Sequence, residues 1–140
     1  MSSSGSEAPR VYIASRFTNR DAVKALSLKL ATARQPWHCI QTWPNESELS
    51  NPLENALRDL QEIDSADIVL VMTENCENVP GGMHFEAGVA YAKGKAVIVV
   101  GPKVNIFYHL PSIVHVPTLR EFLAEFEWAD FVYTDEGGNS

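Results

Sequence analysis

Asp67-Ile68-Val69-Leu70-Val71-Met72 is an unbroken apolar run behind a single carboxylate. A strand with one face in water alternates apolar and polar residues, so a run without alternation marks a strand covered by helices on both faces, the habit of parallel sheets. Ala96-Val97-Ile98-Val99-Val100, closed by Gly101-Pro102, is a second strand of the same kind. Between them Phe85, Val89 and Ala92 recur at helical spacing, while Ala87, Gly88 and Ala90 are small enough to let a helix lie close on a sheet. Parallel neighbours need such a crossover, so Asp67 should enter a central strand of a parallel sheet.

The pattern continues in both directions. Upstream, Val11-Tyr12-Ile13-Ala14 is a short strand, followed by a polar turn of Ser15, Arg16, Phe17 and Thr18. A helix then places Ala22, Leu26, Leu30 and Ala33 on one face and stops at Pro36, and Trp37 to Trp43 alternates as a second strand. After the polar connection from Pro44 to Ser50, Asn51 caps a helix with Pro52 in its first turn and Glu54 as reciprocal partner; Leu53, Ala56, Leu57, Leu60 and Ile63 are expected inward. Downstream, Asn105 to Pro111 is a loop or short helix and Ile113 to Val116 an edge strand. Thr118 with Glu121 forms a capping box for a last helix bearing Leu119, Phe122, Leu123 and Phe126. Five strands alternating with five helical segments predict an α/β single-domain, doubly wound, flavodoxin-like five-stranded parallel sheet with helices on both faces. The domain is expected over residues 10–134, between a Ser-, Gly- and Pro-rich tail at 1–9 and a polar tail at 135–140, with Trp128, Phe131 and Tyr133 docking the end of the chain.

Composition excludes several classes. The 11 Lys and Arg are scattered among 18 Asp and Glu, for a net charge of −7, and a nucleic-acid polymer requires a clustered basic face. Cys39 and Cys76 lack metal-ligand spacing and follow no signal peptide, which favours reduced thiols in a cytoplasmic protein. No apolar run approaches the roughly 20 residues of a membrane span. Nothing calls for a metal or a cofactor.

In such folds ligands bind beyond the carboxyl ends of the strands, where strand order reverses. That edge collects Ser15 to Thr18, Asn75 to Gly82 and Asn105 to His109. Pro80-Gly81-Gly82 reads as a loosened loop whose backbone N–H groups can approach an anion, with Glu86 in the first turn of the helix that follows, held charged and available by the helix dipole. Glu86 then either attacks a substrate or only complements the dipole.

Several blocks in order resemble one family, the nucleoside 2-deoxyribosyltransferases with the related deoxynucleoside monophosphate N-glycosidases. Val11-Tyr12-Ile13-Ala14 with Arg16-Phe17-Thr18-Asn19-Arg20 is similar to its first strand and loop; Asp59 through Ile63-Asp64-Ser65-Ala66-Asp67-Ile68 is similar to its aspartate and third-strand entry; and Glu86-Ala87-Gly88-Val89-Ala90 with Gly94-Lys95 is similar to its glutamate, Gly-x-Ala and Gly-Lys segment. The resemblance implies an enzyme of nucleotide metabolism that cleaves the N-glycosidic bond of a 2′-deoxynucleoside or its 5′-monophosphate. Glu86 would carry the deoxyribosyl group covalently and pass it to another nucleobase or to water. It implies that Asp59 handles the nucleobase and Tyr12 holds Glu86, against a solvated aspartate and a core tyrosine as plain alternatives. Ser15, Arg16, Phe17, Gly81, Gly82, His84 and Asn105 become candidate substrate contacts, with His84 either on phosphate or base or merely exposed. The implied partners are the nucleoside or nucleotide, a free nucleobase acceptor, and a second copy of the chain, whose Asn105 to His109 reaches a neighbour's site. The sequence departs from the transferases at Pro80, where an acidic residue often stands six positions before the nucleophile, and this favours the monophosphate. A non-catalytic nucleotide-binding module and an NAD-cleaving glycohydrolase are the competing classes.

Overall fold

The computed structural model describes residues 8–46, 51–76 and 78–128. In chain order these form β1 (Arg10–Ala14), α1 (Arg20–Leu30), β2 (His38–Cys39), α2 (Pro52–Ser65), β3 (Ile68–Met72), α3 (Gly81–Ala92), β4 (Ala96–Val100), β5 (Val114–Val116) and α4 (Leu119–Ala124). The strands are all parallel, in the order β2-β1-β3-β4-β5. This is the doubly wound α/β sheet expected from the sequence, with β3 at its centre. The chain leaves β1 towards one edge and returns at β3 to build towards the other, so the switch in strand order lies between β1 and β3, where Tyr12 pairs with Val69 and Ile13 with Leu70. Val11, Tyr12, Ile13, Val69, Leu70 and Val71 are all completely buried. At about 1.5 to 3 kcal/mol for each large apolar side chain removed from water, this pair of strands is the main source of hydrophobic stabilisation.

Several local expectations are corrected. The second strand does not extend from Trp37 to Trp43: β2 has two residues, because Thr42 to Asn45 turns into a 3-10 helix with Pro44 near its start. The exposed edge of β1 is closed by side chains instead. Ile13 N–H donates to Gln41 Oε1 at 3.0 Å, and Trp43 Nε1 donates to the Ile13 carbonyl at 2.8 Å. Helix α1 stops at Leu30, well short of Pro36, and buries Val23, Leu26 and Leu30 while Ala22 faces water. The fifth helical segment, between β4 and β5, is a 3-10 turn of four residues, Ile106–His109. Residues Phe131 and Tyr133, and both expected tails beyond Ala8 and Trp128, lie outside the described residues.

Helix α2 is turned around relative to its apolar pattern. Asn51 caps it as expected, its side chain accepting from the N–H groups of Leu53 and Glu54. Leu53 and Leu57, however, are 67% and 52% exposed, and Ala56 is exposed as well. The inward line runs through Asp59, Ile63 and Ala66, at positions i, i+4 and i+7. Gly101 fixes the other end of the site's scaffold: its φ is +122°, and a Cβ there would lie 2.2 Å from the Glu74 nitrogen, so the strand β4 exit passes against the β3 exit only because the residue lacks a side chain.

Candidate active site

The site is assembled on α3. This helix begins at Gly81, with Pro80 as its N-cap residue, so both glycines are helical and Glu86 falls in the second turn. The expectation of a first-turn glutamate held charged by the helix dipole is therefore corrected, because that effect fades within one turn. What positions Glu86 is packing. Met83, Ala87 and Ala90 are buried against the sheet. Alanines of this size let α3 approach β1 closely enough for Glu86 to meet Tyr12, whose Oη donates to Glu86 Oε2 at 2.9 Å.

Asp59 reaches the same place from α2. Its Oδ1 is buried without a hydrogen-bond partner among the described residues, a costly state for a carboxylate unless a proton or a ligand satisfies it. Burial is the first cause pushing the Glu86 carboxyl up to about 7; Tyr12 opposes it by hydrogen bonding, while Asp59 and Glu62 add repulsion. Burial likewise pushes Asp59 up to about 7, with repulsion from Glu46 and Glu62 set against the opposing charge of Arg58. Tyr12 is held far above the ordinary tyrosine range by burial and by Glu86, so it stays a donor. Two facing carboxyls that both resist ionisation titrate as a pair, and in the neutral range that pair holds a proton. Glu86 is thus not the plainly ionised group expected from the sequence.

The remaining candidates separate into two further groups. Arg16 lines an open cavity of about 590 Å³ with Thr73, Asn75, Cys76 and Pro102, at the carboxyl edge of the sheet. Ser15, at the start of the same loop, accepts from the Asn19 amide at 3.1 Å, and the Phe17 ring lies 4.6 Å beneath the Arg20 guanidinium. Gly81, His84 and Asn105 instead line a groove of about 710 Å³ between α3 and the 3-10 turn, walled by Phe85, Phe107 and Tyr108. There His84 Nδ1 and Tyr108 Oη are 2.7 Å apart, and Asn105 accepts from the Phe107 N–H at 2.9 Å. The structure therefore unites Tyr12, Asp59 and Glu86, and sets His84 two residues from Glu86 on a different face of α3.

Sequence reasoning missed Glu46, Arg58 and Glu62, which surround Asp59. Glu62 was signalled by its spacing of three from Asp59, which puts both on one helix face; Glu46 had no signal within its polar connection. Among the described residues no cluster of three or more His, Cys, Asp or Glu is arranged to hold a metal ion, and no helix is long and apolar enough to cross a membrane.

No family model matches the chain, and no curated protein sequence matches it. Solved structures share its fold, two of them as follows. A CMP N-glycosidase from Clostridium botulinum superposes with a TM-score of 0.60 at 19% identity, covering 83% of this chain and 96% of that one. A 2-deoxyribosyltransferase from Leishmania mexicana gives 0.62 at 14% identity, covering 83% and 95%. Both are of the kinds that the sequence blocks around Tyr12, Asp59 and Glu86 resemble.

Proposed function

We propose that this chain is an enzyme that cleaves the N-glycosidic bond of a 2′-deoxynucleoside or its 5′-monophosphate, with Glu86 as nucleophile. The observation that carries this is the cluster of Tyr12, Glu86 and Asp59 beside the β1/β3 switch point, in which Tyr12 bonds Glu86 and burial raises both carboxyls into the range where one of the two keeps a proton near neutral pH. That charge state suits the reaction. The ionised member, Glu86, attacks C1′ of the sugar; the C1′–N bond breaks, its electron pair goes to the base, and the departing base takes the proton from Asp59. Glu86 then carries the sugar as an ester. An acceptor base or water attacks C1′ in turn, gives its proton back to Asp59 and frees Glu86, which makes the transferase and hydrolase outcomes differ only in the acceptor. Tyr12 holds the Glu86 oxygen that is not attacking and steadies its charge as it returns.

Preference for a monophosphate is supported by the opening of α3. The first N–H groups of a helix have no partner within it, and Gly81 and Gly82 are exposed, with open space where a side chain would stand, so an anion has direct access. Pro80 adds no charge against a phosphate. A second copy of the chain completes the site in this reading, covering the groove beside Phe85 and Phe107.

The test is a panel of deoxynucleosides, their 5′-monophosphates and the matching ribonucleotides, including CMP because one structural neighbour is a CMP N-glycosidase. Each is supplied with and without a free acceptor base and read by chromatography, with mass spectrometry on the protein. Base release together with a glycosyl adduct at Glu86 is expected, and Glu86→Ala should abolish both. Turnover that survives in Glu86→Ala refutes the assignment.

A further inference from the structure

Around Asp59 the charged side chains are arranged so that its nearest cation is occupied elsewhere. Arg58, its neighbour on α2, sends Nη1 to Glu46 Oε2 and only weakly, at 3.4 Å, to Asn55 Oδ1. Glu46 sits at the end of the 3-10 turn after β2, and its side chain is 12% exposed against 43% for Arg58, so the acidic partner is the buried one. One helical turn on, Glu62 binds the same connection from the other side, accepting from Thr42 N–H at 3.1 Å and from Thr42 Oγ1 at 2.6 Å. The groups that face Asp59 are therefore Arg58 and Glu62 on its own helix, Glu46 from the connection, Tyr12 from β1 and Glu86 from α3. Four of these five are acidic or neutral, and the one cation is bonded away from it. Among the described residues Asp59 Oδ1 accepts no hydrogen bond, although an arginine stands next to it in the chain, and the carboxyl has Glu86 as its close neighbour instead.

A guanidinium beside a carboxylate ordinarily forms a bidentate pair and fixes the acid in its ionised state. An acid that must deliver a proton cannot afford that partner. We infer that Glu46 is a positioning residue that holds the Arg58 guanidinium off Asp59, leaving that carboxyl able to keep and deliver a proton; this rests on the proposed role of Asp59 at the departing base. Removing the Glu46 charge releases Arg58 towards the unpartnered Oδ1. Removing Arg58 instead leaves Asp59 facing only acids and the Tyr12 hydroxyl. Opposite shifts follow from the two charges alone; a positioning role adds that the effect of Glu46 on Asp59 depends on Arg58 being present, which neither bare charge nor general loosening of the connection requires.

The experiment is titration of the Asp59 side-chain carboxyl by carbon-detected NMR in wild type, Glu46→Gln and Arg58→Gln, alongside pH profiles of kcat/KM for a nucleotide with a poor leaving base. In Glu46→Gln the Asp59 midpoint should fall by about one pH unit or more, and in Arg58→Gln it should rise. In the profile, the alkaline limb should move to lower pH in Glu46→Gln with little change in KM. An unchanged midpoint in Glu46→Gln, or shifts of the same sign in both variants, overturns the inference. In an Arg58→Gln background, where no guanidinium is left to swing, Glu46→Gln should shift the Asp59 midpoint far less than it does in wild type, and an equal shift there overturns the inference; should Glu46→Gln fail to fold, Glu46→Asp, which keeps the charge but not the reach, decides, a fall supporting it and no change refuting it. The titration needs no turnover, so an Arg58-dependent Glu46 effect in a protein that cleaves no glycoside would refute the proposed reaction while leaving the role of Glu46 in place.

Discussion

Replacing Glu86 with Gln should make the protein more stable at pH 8 and flatten the dependence of its stability on pH. In the folded chain burial raises the Glu86 carboxyl from 4.5 to about 7. Between those values the folded state binds more protons than the unfolded one, so stability is fully present below about pH 4.5 and is lost as pH rises through 7. At ~1.4 kcal/mol per pH unit, the loss attributable to Glu86 is about 3 kcal/mol. Asp59 adds to it with the same sign, reduced because that carboxyl keeps contact with solvent. Gln has nearly the same shape, cannot ionise, and keeps an oxygen that accepts from Tyr12 Oη. Urea unfolding of wild type and Glu86→Gln at pH 5, 6, 7 and 8 measures the difference directly. The variant should match wild type within about 1 kcal/mol at pH 5 and exceed it by about 2 to 3 kcal/mol at pH 8. Parallel curves for the two proteins, or a wild type whose stability rises between pH 5 and 8, would refute the burial of this carboxyl as the cause of its shift.

Tyr12→Phe removes a donor to a charged acceptor, worth about 1.5 to 3 kcal/mol, so the acid limb of the kcat/KM profile should move up by about 1 to 2 pH units. Asp59→Asn should slow bases that leave poorly by about 100-fold or more while sparing good leaving groups, because a general acid contributes most where the base needs its proton; equal losses across a leaving-group series would remove that role. Phe107→Glu, at a side chain 62% exposed beside the α3 groove, should shift sedimentation from an oligomer to a monomer and reduce turnover, with an active wild-type monomer as the contrary result. Gly101→Ala should cost about 2 kcal/mol or more in thermal or urea unfolding, since φ is +122° and the added carbon meets the Glu74 backbone.

The fold was legible because its deciding segments are unambiguous: β3 and β4 are continuous apolar runs, and a buried strand pair of that kind admits few arrangements. Glu86 stood out by its place after the glycines, whereas Asp59 and Tyr12 were candidates only through the resemblance of their blocks to a known family. The residues themselves point elsewhere, since two glycines before a helix ordinarily stay outside it, yet here they form its first turn. Beginning at Gly81 moves Glu86 from the dipole's reach into the packed second turn, where burial raises its carboxyl to about 7. The Glu46–Arg58 pair beside Asp59 was not legible at all. It depends on a connection folding back over α2, and no local pattern encodes which of two neighbouring acids an arginine selects.

The inversion of α2 joins the chemistry to assembly. A helix carrying Leu53, Ala56, Leu57 and Leu60 on one side should bury that side; instead it presents Leu53 and Leu57 to water and turns Asp59 and Glu62 towards the sheet. Each half of this arrangement costs stability alone, the first by leaving apolar surface wet and the second by desolvating carboxyls. Conflicts between local pattern and global structure of this size are concentrated at functional sites. Under the proposed reaction the inward Asp59 has its reason as the acid beside Glu86. The outward leucines have theirs if the same face is covered, and α3, packed beside α2, exposes Phe85 at 63% while the adjoining 3-10 turn exposes Ile106 and Phe107. In the proposed assembly, a second copy seated on Phe85, Ile106 and Phe107 would cover this wet apolar surface, and the Phe107→Glu sedimentation test decides whether it does.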